Sequence, residues 1–295
     1  MHAHSNPISR PARMTLRGVT FAAALWLLAG CSSQFLYNRL DTVAYVYLKT
    51  QVSLEDLQSQ QLRNSLRAFH DWHRGSELPR YAQFAQALAR DAARPLGRAR
   101  IDAARLELES LWRDAVARGA DDAARFLAGL SPSQRGEFFA SLGEDDAELH
   151  EEYCDTPLAK RQRRQLEDVV DLAEDWVGSL TAAQRELLRV RLAALQPTGC
   201  RWVDSRIRVR NAFRDLAARG SADPEYYEKM RRLMLNPEER WDPAYRAAFD
   251  ANRDAFIDML AELDASLTAR QRAQLSAKFA GYARDFRSWA GAGPG

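Results

Sequence analysis

Apolar residues recur at intervals of three and four along most of the chain, which is the spacing of one buried helix face. The clearest run follows Ser53, and its large apolar side chains are Leu54, Leu57, Leu62, Leu66, Phe69 and Trp72. Glycine and proline are few, at 15 and 11 of 295 residues, and isoleucine and threonine are scarce, which favours helix over strand. The pattern predicts an all-α protein, an elongated multi-helix bundle of antiparallel hairpins.

Proline, glycine and N-cap residues divide this pattern into individual helices. The predicted helices are 34–48, one from 53 that breaks at 75–79 and resumes to about 94, 99–118, 121–127, one from 131, 158–177, 181–195, 202–218, 243–266 and 268–288. Asp223 and Asp242 each precede a proline and are expected to be N-caps. Residues 53–290 would form one helical domain with a candidate division into lobes 53–155 and 156–290, followed by a frayed tail at 291–295.

The N-terminus has the pattern of a secretory signal peptide. Three arginines and no acid precede an apolar run at 19–28, and Leu28-Ala29-Gly30-Cys31 ends that run. This ending resembles the lipobox of bacterial lipoproteins, which implies cleavage before Cys31 and a diacylglycerol on its sulfur. Residues 1–30 would then be the signal peptide and 31–52 a lipid-anchored tether. A transmembrane helix is disfavoured because a span needs about 20 apolar residues, and an ordinary cleaved signal is the alternative.

Removal of the signal peptide changes the charge of the protein. The three lost arginines take the net charge of +2 to −1, so nothing attracts nucleic acid globally. Because Ser32 follows the cysteine, the resemblance to lipoproteins implies the outer membrane, with the protein on its periplasmic face. The aromatic segment 34–48 next to the anchor either docks on the body or lies against lipid headgroups, and docking is the expectation.

One turn motif is repeated. Ser131 with Gln134, Thr181 with Gln184, and Thr268 with Gln271 follow the capping-box pattern, in which the N-cap and the third helical residue satisfy each other's backbone donors. Residues 52–56 are a looser relative. The motif also resembles the Leu-Thr-x-x-Gln turns of Spy-type periplasmic chaperones, but structural capping is the favoured interpretation.

A second candidate feature is the kink around Pro79. Trp72, His73, Glu77, Pro79 and Tyr81 are predicted to form a helix elbow in which His73 and Glu77 bridge the break while the aromatic rings wedge it. His70 and His73 supply at most half of a zinc site, so no metal is expected.

Phe35–Leu40, Trp72-His73, Glu77–Tyr81 and the turn 267–272 resemble, in order and spacing, a family of proteobacterial helical lipoproteins of unknown function. The resemblance implies placement and fold, and it brings no catalytic residues.

Two cysteines remain if Cys31 carries lipid. Cys154 and Cys200 lie at helix ends beside proline turns, so a disulfide is predicted in an oxidising compartment. Two separate buried thiols are the alternative. The bridge would bring the acidic run 144–152 near Arg201, Arg206 and Arg208, whose segment is otherwise a solvated face or an anionic-lipid site.

Signatures of known enzymes are missing from the sequence, including a Gly-x-Ser-x-Gly elbow and a phosphate-binding glycine loop. The sequence therefore predicts a lipid-anchored binding or scaffold protein without catalysis, cofactor or small-molecule substrate, whose partner is another envelope protein. A chaperone-like binder of unfolded envelope proteins and a hydrolase with an unrecognised site are the alternatives.

Overall fold

The computed structural model describes residues 31–291, with side chains from Gln34 onward. The predicted signal peptide, the Cys31 side chain and most of the predicted tail lie outside the described residues. Every regular element within the described range is helical, which confirms the all-α class. In that range no helix is both long enough and apolar enough to cross a bilayer.

The first half of the chain contains seven α-helices within the described range. They are α1 (Cys31–Asn38), α2 (Leu40–Gln51), α3 (Asp56–Trp72), α4 (Leu78–Asp91), α5 (Gly97–Gly129), α6 (Pro132–Glu144) and α7 (Asp146–His150). A π-helical turn at His73–Glu77 joins α3 to α4, and another at Glu151–Asp155 follows α7.

The second half is similarly helical. Its helices are α8 (Leu158–Val177), α9 (Ala182–Ala193), α10 (Gly199–Arg219), α11 (Tyr226–Leu235), α12 (Pro243–Ala265) and α13 (Ala269–Gly291). Short 3₁₀ turns at Gly220–Ala222 and Pro237–Arg240 flank α11.

Helices distant in sequence pack against one another. The longest such contact is antiparallel, between α4 and α13, where Leu78 packs with Trp289 and the Ser276 hydroxyl donates to the Ala89 carbonyl at 2.6 Å. One apolar core joins α5, α6, α10 and α11 around Phe138 and Met230, and a second joins α8, α9 and α12 around Leu188. The first core uses residues from both sides of position 155, and the division into two lobes there remains a prediction.

Capping boxes begin α6 and α9, and the same bonds form at α13. Ser131 accepts from the Gln134 backbone N–H, and Thr181 accepts from that of Gln184. At α13 the Gln271 N–H donates to the Thr268 hydroxyl at 3.3 Å, and the Thr268 N–H donates to the Gln271 side chain at 3.0 Å.

A fourth box stands at the start of α3. Its members are Glu55 and Gln58, so the helix begins at Asp56, three residues later than predicted. This box lies two residues beyond the register of the looser relative at 52–56, in which Ser53 holds the N-cap position, and it uses a carboxylate in place of the hydroxyl.

Three further predictions about the helices were wrong. α5 continues through Gly119, where a break was expected, because buried Ala120, Ala124 and Leu127 hold the helix and a helical glycine costs only about 1 kcal/mol. The predicted helix 34–48 is interrupted at Arg39 between α1 and α2. Finally, α11 has Glu225 rather than Asp223 as its N-cap residue.

The chain also does not break before Pro79. The Leu78 N–H donates to the His73 carbonyl, five residues back, in the π-helical turn. Proline lacks an N–H and its ring clashes with the carbonyl four residues earlier in a regular α-helix. The wider π turn absorbs one extra residue, so α3 and α4 follow each other without a loop.

Candidate functional site: an apolar cavity between four helices

A large cavity lies between α3, α5, α6 and α10. Its volume is about 1080 Å³, and it is open on one side to solvent. Small-molecule sites in proteins usually measure about 300–1,000 Å³, so this cavity can hold a sizeable ligand. Its walls are mostly apolar and include Leu62, Leu66, Phe126, Phe138, Trp202 and Phe213.

The residues that build the cavity share helix faces. On α3, Leu62, Leu66 and Phe69 are spaced four and three residues apart, so they lie on one side of the helix. On α5 the lining includes Gly119 and Ala123, whose small size leaves the space open. The same hydrophobic stripe that predicted the α3 helix therefore forms one wall of the cavity.

One hydroxyl in the wall is unsatisfied. Ser205 of α10 is 1% exposed and lines the cavity. Among the described residues its Oγ has no hydrogen-bond partner. An unpaired buried polar group costs about 1–3 kcal/mol, so a polar atom of a ligand in the cavity would relieve that cost.

Two arginines lie beside this hydroxyl. Arg206 and Arg210 line the cavity, and both face Asp146, whose side chain is 14% exposed. Arg210 forms a direct ion pair with Asp146, whereas the Arg206 Nε stays 3.8 Å from its carboxylate. Tyr47 of α2 lies within electrostatic range of this region: burial and the Asp145 carboxylate raise the pKa of its hydroxyl, and Arg206 lowers it. The cavity thus has a mainly apolar body and a polar corner at Ser205, Arg206 and Arg210.

The lining offers little for acid–base chemistry. Among the described residues that line it there is no histidine or cysteine, and the one carboxylate there, Asp122, pairs with Arg125 and with Arg118 at 3.5 Å. The hydrogen bond to Asp122 raises the pKa of Arg125, and this effect exceeds the lowering caused by burial. This arrangement suits the binding of an amphipathic molecule.

The predicted elbow is a separate, buried cluster. The Tyr37 hydroxyl of α1 lies 3.0 Å from His73 Nδ1, and the Tyr81 ring packs edge-on against His73 at 5.3 Å. Burial, reinforced by neighbouring His70, lowers the pKa of His73 to about 4. Burial raises the pKa of Tyr81 to about 12 and that of Tyr37 still further. All three side chains are therefore uncharged at physiological pH.

The other predicted elbow residues have different partners from those expected. Glu77 is 2% exposed and receives two hydrogen bonds of 2.9 Å from Arg80, which also bonds Asp114 of α5 at 2.7 Å. Trp72 packs on Phe69 at 5.5 Å. Glu77 does not bridge to His73. Sequence reasoning missed Arg80 as the partner of Glu77, although its i, i+3 spacing on a helix was the available signal.

The two remaining cysteines form the predicted disulfide. Cys154, in the second π turn, and Cys200, at the start of α10, have alpha carbons 4.7 Å apart. A ring nitrogen of His150 lies within 4.8 Å of both sulfurs, and His150 pairs with Asp155 at 3.3 Å. Disulfide sulfurs are not thiolates, so this trio lacks metal ligands in the oxidised state.

The disulfide joins the acidic and basic segments, with partners that differ in part from the expected ones. Asp146 pairs with Arg206 and Arg210, whereas Arg208 approaches Asp242 at 3.7 Å. The Glu152 carboxylate lies 4.0 Å from Arg164. The bridge therefore supports the polar corner of the cavity, a role that the sequence alone did not reveal.

Comparisons with known proteins match the chain to a protein family. No curated protein and no solved structure matches the chain. A model of a family of unknown function, DUF6279, matches residues 50–246, which include α3 to α11 and all four cavity walls. The chain belongs to this family.

Proposed function

We propose that the mature protein is a lipid-anchored envelope protein that binds the hydrocarbon part of an amphipathic ligand in the cavity between α3, α5, α6 and α10. The observation that supports this proposal is the division of the cavity into a large apolar part and a polar corner. An apolar volume of about 1080 Å³ ends at a corner with an unpaired buried hydroxyl and two guanidinium groups. Binding, rather than catalysis, is its role.

The ligand that fits best is a lipid-like anion. Its acyl chain would lie against Leu66, Phe126 and Phe213, since burial of apolar surface stabilises by about 25 cal/mol per Å². Its charged group would meet Arg206, whose Nε is not hydrogen-bonded to a described residue. Arginine suits carboxylate and phosphate because its planar donors match their oxygens.

The anchor places this site at a membrane. Lipid on Cys31 would hold the body at the periplasmic face of the outer membrane, where lipids and other envelope proteins are within reach. Cys31→Ser should abolish acylation, because serine lacks the sulfur that carries the lipid. Mass spectrometry of the mature N-terminus tests this, and an N-terminus without acyl mass in the wild type would refute the anchor.

The cavity is tested by filling it. Ala123→Trp inserts an indole into the lining, whereas Ala103→Trp places the same group on an exposed position of α5. We expect Ala123→Trp to weaken binding of a fluorescent fatty acid by at least about tenfold, or about 1.4 kcal/mol, and Ala103→Trp to leave it unchanged. Equal affinities in both variants, with both folded by circular dichroism, would refute binding in the cavity.

The polar corner is tested separately. Arg206→Gln should weaken the fatty acid more than the corresponding fatty alcohol, because only the acid carries the charge that Arg206 meets. Equal effects on acid and alcohol would remove Arg206 from ligand recognition. Binding of unfolded polypeptide without binding of either probe would instead favour the chaperone-like alternative.

A further inference from the structure

The segment after Cys31 exposes an unusual concentration of apolar surface. Large apolar side chains that are mostly exposed number fifteen among the described residues, and six of them lie between positions 35 and 47. They are Phe35, Leu36, Leu40, Val43, Val46 and Tyr47, each 39–67% exposed. Single exposed apolar residues are ordinary, but a contiguous patch marks an interaction surface.

Three of these side chains share one face of α2. On α2, Leu40, Val43 and Tyr47 are three and four residues apart and therefore lie along one helix face. Tyr45, on the opposite side, is 6% exposed and packs under the Arg63 guanidinium at 4.1 Å. The helix uses one face to dock on the body and presents the other outward.

The docked face is firmly attached. Tyr37 is 2% exposed, stacks on Trp289 at 5.4 Å and meets the His70 ring edge-on at 4.9 Å. Asn38 accepts a 3.2 Å hydrogen bond from Arg74. The contacts with α3 and α13 therefore hold the outward apolar face in a fixed orientation relative to the body.

The charges of the segment favour an anionic surface. Between residues 34 and 52 the charged residues are Arg39, Asp41 and Lys49. Asp41 faces inward, 4.0 Å from His70, whereas Arg39 and Lys49 are exposed. Exposed cations beside an apolar face are the pattern of a helix at a membrane interface.

We infer that the outward face of α1 and α2 lies in the headgroup region of the lipid bilayer and orients the body on the membrane. This inference rests on the lipid anchor of the proposed function. Phe35 follows Cys31 by four residues, about 6 Å along a helix, so acyl chains in the leaflet keep this face within reach of the bilayer. The two acyl chains of a diacylglycerol anchor the N-terminus stably, but one attachment point does not set the orientation of the body, which needs a second membrane contact. A docked apolar face supplies that contact.

The test measures the depth of one side chain in the membrane. Full-length protein, purified from membranes, is prepared with Val43→Cys or with Leu106→Cys and labelled with a nitroxide. Leu106 is a matched control because it is 52% exposed, against 46% for Val43, and lies on α5. Vesicles of phosphatidylethanolamine and phosphatidylglycerol serve as the bilayer. Accessibility to oxygen and to a water-soluble nickel chelate is read by electron paramagnetic resonance.

We expect the label at Val43 to be at least about fivefold less accessible to the nickel chelate than the label at Leu106, while oxygen reaches it freely. Leu40→Glu with Val46→Glu in the Val43→Cys chain should return the label to water without lowering the melting temperature. Equal nickel accessibility at Val43 and Leu106 would overturn the inference. So would a label at Val43 that is shielded before vesicles are added, which would indicate a protein partner. Failure of the anchor is read separately, as an N-terminus without acyl mass.

Discussion

At the residue scale, two pairs of glutamine side chains, three of them buried and Gln58 half-buried, connect four helix turns. The Gln184 amide donates to the Gln271 Oε1 at 3.0 Å, and Gln271 returns a bond of 2.9 Å. Each also donates to a backbone carbonyl two residues before the opposite N-cap, namely Ser266 at 3.1 Å and Ser179 at 2.9 Å. Gln58 and Gln134 repeat the arrangement, with donations to Gly129 and Ser53.

This geometry explains why glutamine rather than glutamate occupies the third helical position. Either residue accepts from the N-cap backbone in a capping box. Only glutamine also donates, and both donors are used here by groups of the opposite turn. The repeated motif therefore joins hairpins as well as capping helices.

Gln184→Glu separates these two roles. It keeps the capping acceptor but leaves the Ser266 carbonyl and the Gln271 amide without their donor, and we expect a loss of about 2–3 kcal/mol in the free energy of unfolding. Thr181→Ala and Thr268→Ala, which remove only a cap, should each cost about 1 kcal/mol. Urea unfolding measures all three. A smaller loss in Gln184→Glu than in Thr181→Ala would contradict the proposed connection.

His73 should make stability depend on pH. Its pKa in the folded protein is about 4, below the usual 6.5 of an unfolded chain. The unfolded state therefore binds the proton first, so stability is full above about pH 6.5 and falls as the pH approaches 4. With partial solvent screening the loss should be on the order of 2 kcal/mol. Thermal melts at pH 7 and pH 5 should differ less in His73→Phe, and a residual slope remains because burial also lowers the pKa of His70. Identical slopes in both proteins would argue against this role.

At the element scale, α5 is a long helix that contains a destabilising glycine. Gly119 lies in the middle of a helix of 33 residues, and it faces Phe69 across the cavity wall. Glycine there allows α3 to approach closely, but its backbone freedom in the unfolded chain lowers the stability of the helix. The helix forms anyway because tertiary packing outweighs the intrinsic preference of one residue.

Gly119→Ala should stabilise the protein. The added Cβ would meet the Phe69 ring at 3.5 Å and 3.7 Å, which is ordinary van der Waals contact. We expect a gain of about 0.5–1 kcal/mol in the free energy of unfolding. Gly178→Ala is the opposite control, because Gly178 has a φ of +81° and its Cβ would approach Gln274 at 2.7 Å. Destabilisation by both substitutions would show that α5 cannot accept the methyl group.

At the scale of the whole molecule, the disulfide closes a loop that contains two helices of the second core. Cys154 and Cys200 are 46 residues apart in sequence, and α8 and α9 lie between them. The bridge holds the start of α10 beside α7, where Asp146 meets Arg206 and Arg210. The disulfide therefore holds the polar corner in place and also restricts the conformations of the unfolded chain.

Removal of the disulfide should weaken stability and ligand binding together. Cys154→Ser with Cys200→Ser should lower the free energy of unfolding by up to about 4 kcal/mol, because the unfolded loop gains entropy. Fatty-acid affinity should fall as well, since α10 loses its restraint. Alkylation of the non-reduced, denatured wild type should label neither cysteine. Two labelled cysteines would show that the bond does not form in the protein.

The sequence by itself determined what depends on neighbouring residues. Hydrophobic spacing predicted the helices, and α8 was predicted with its observed bounds because Pro157 and Gly178 mark its ends. The Thr181–Gln184 capping box was readable for the same reason, since both partners lie within one turn. The pairing of Cys154 with Cys200 followed from the cysteine count once Cys31 is assigned to lipid.

The tertiary structure alone decided which helices meet. The sequence shows that Leu66 and Phe126 are apolar residues of predicted helices. It does not show that these helices stand apart and leave a cavity instead of closing a core. Ser205 reads as an ordinary helix residue until its hydroxyl is found buried without a partner. The Gln184–Gln271 contact spans 87 residues and has no local signal beyond the two capping boxes. Local preference is encoded over a few residues, whereas packing depends on the shapes of whole helix faces.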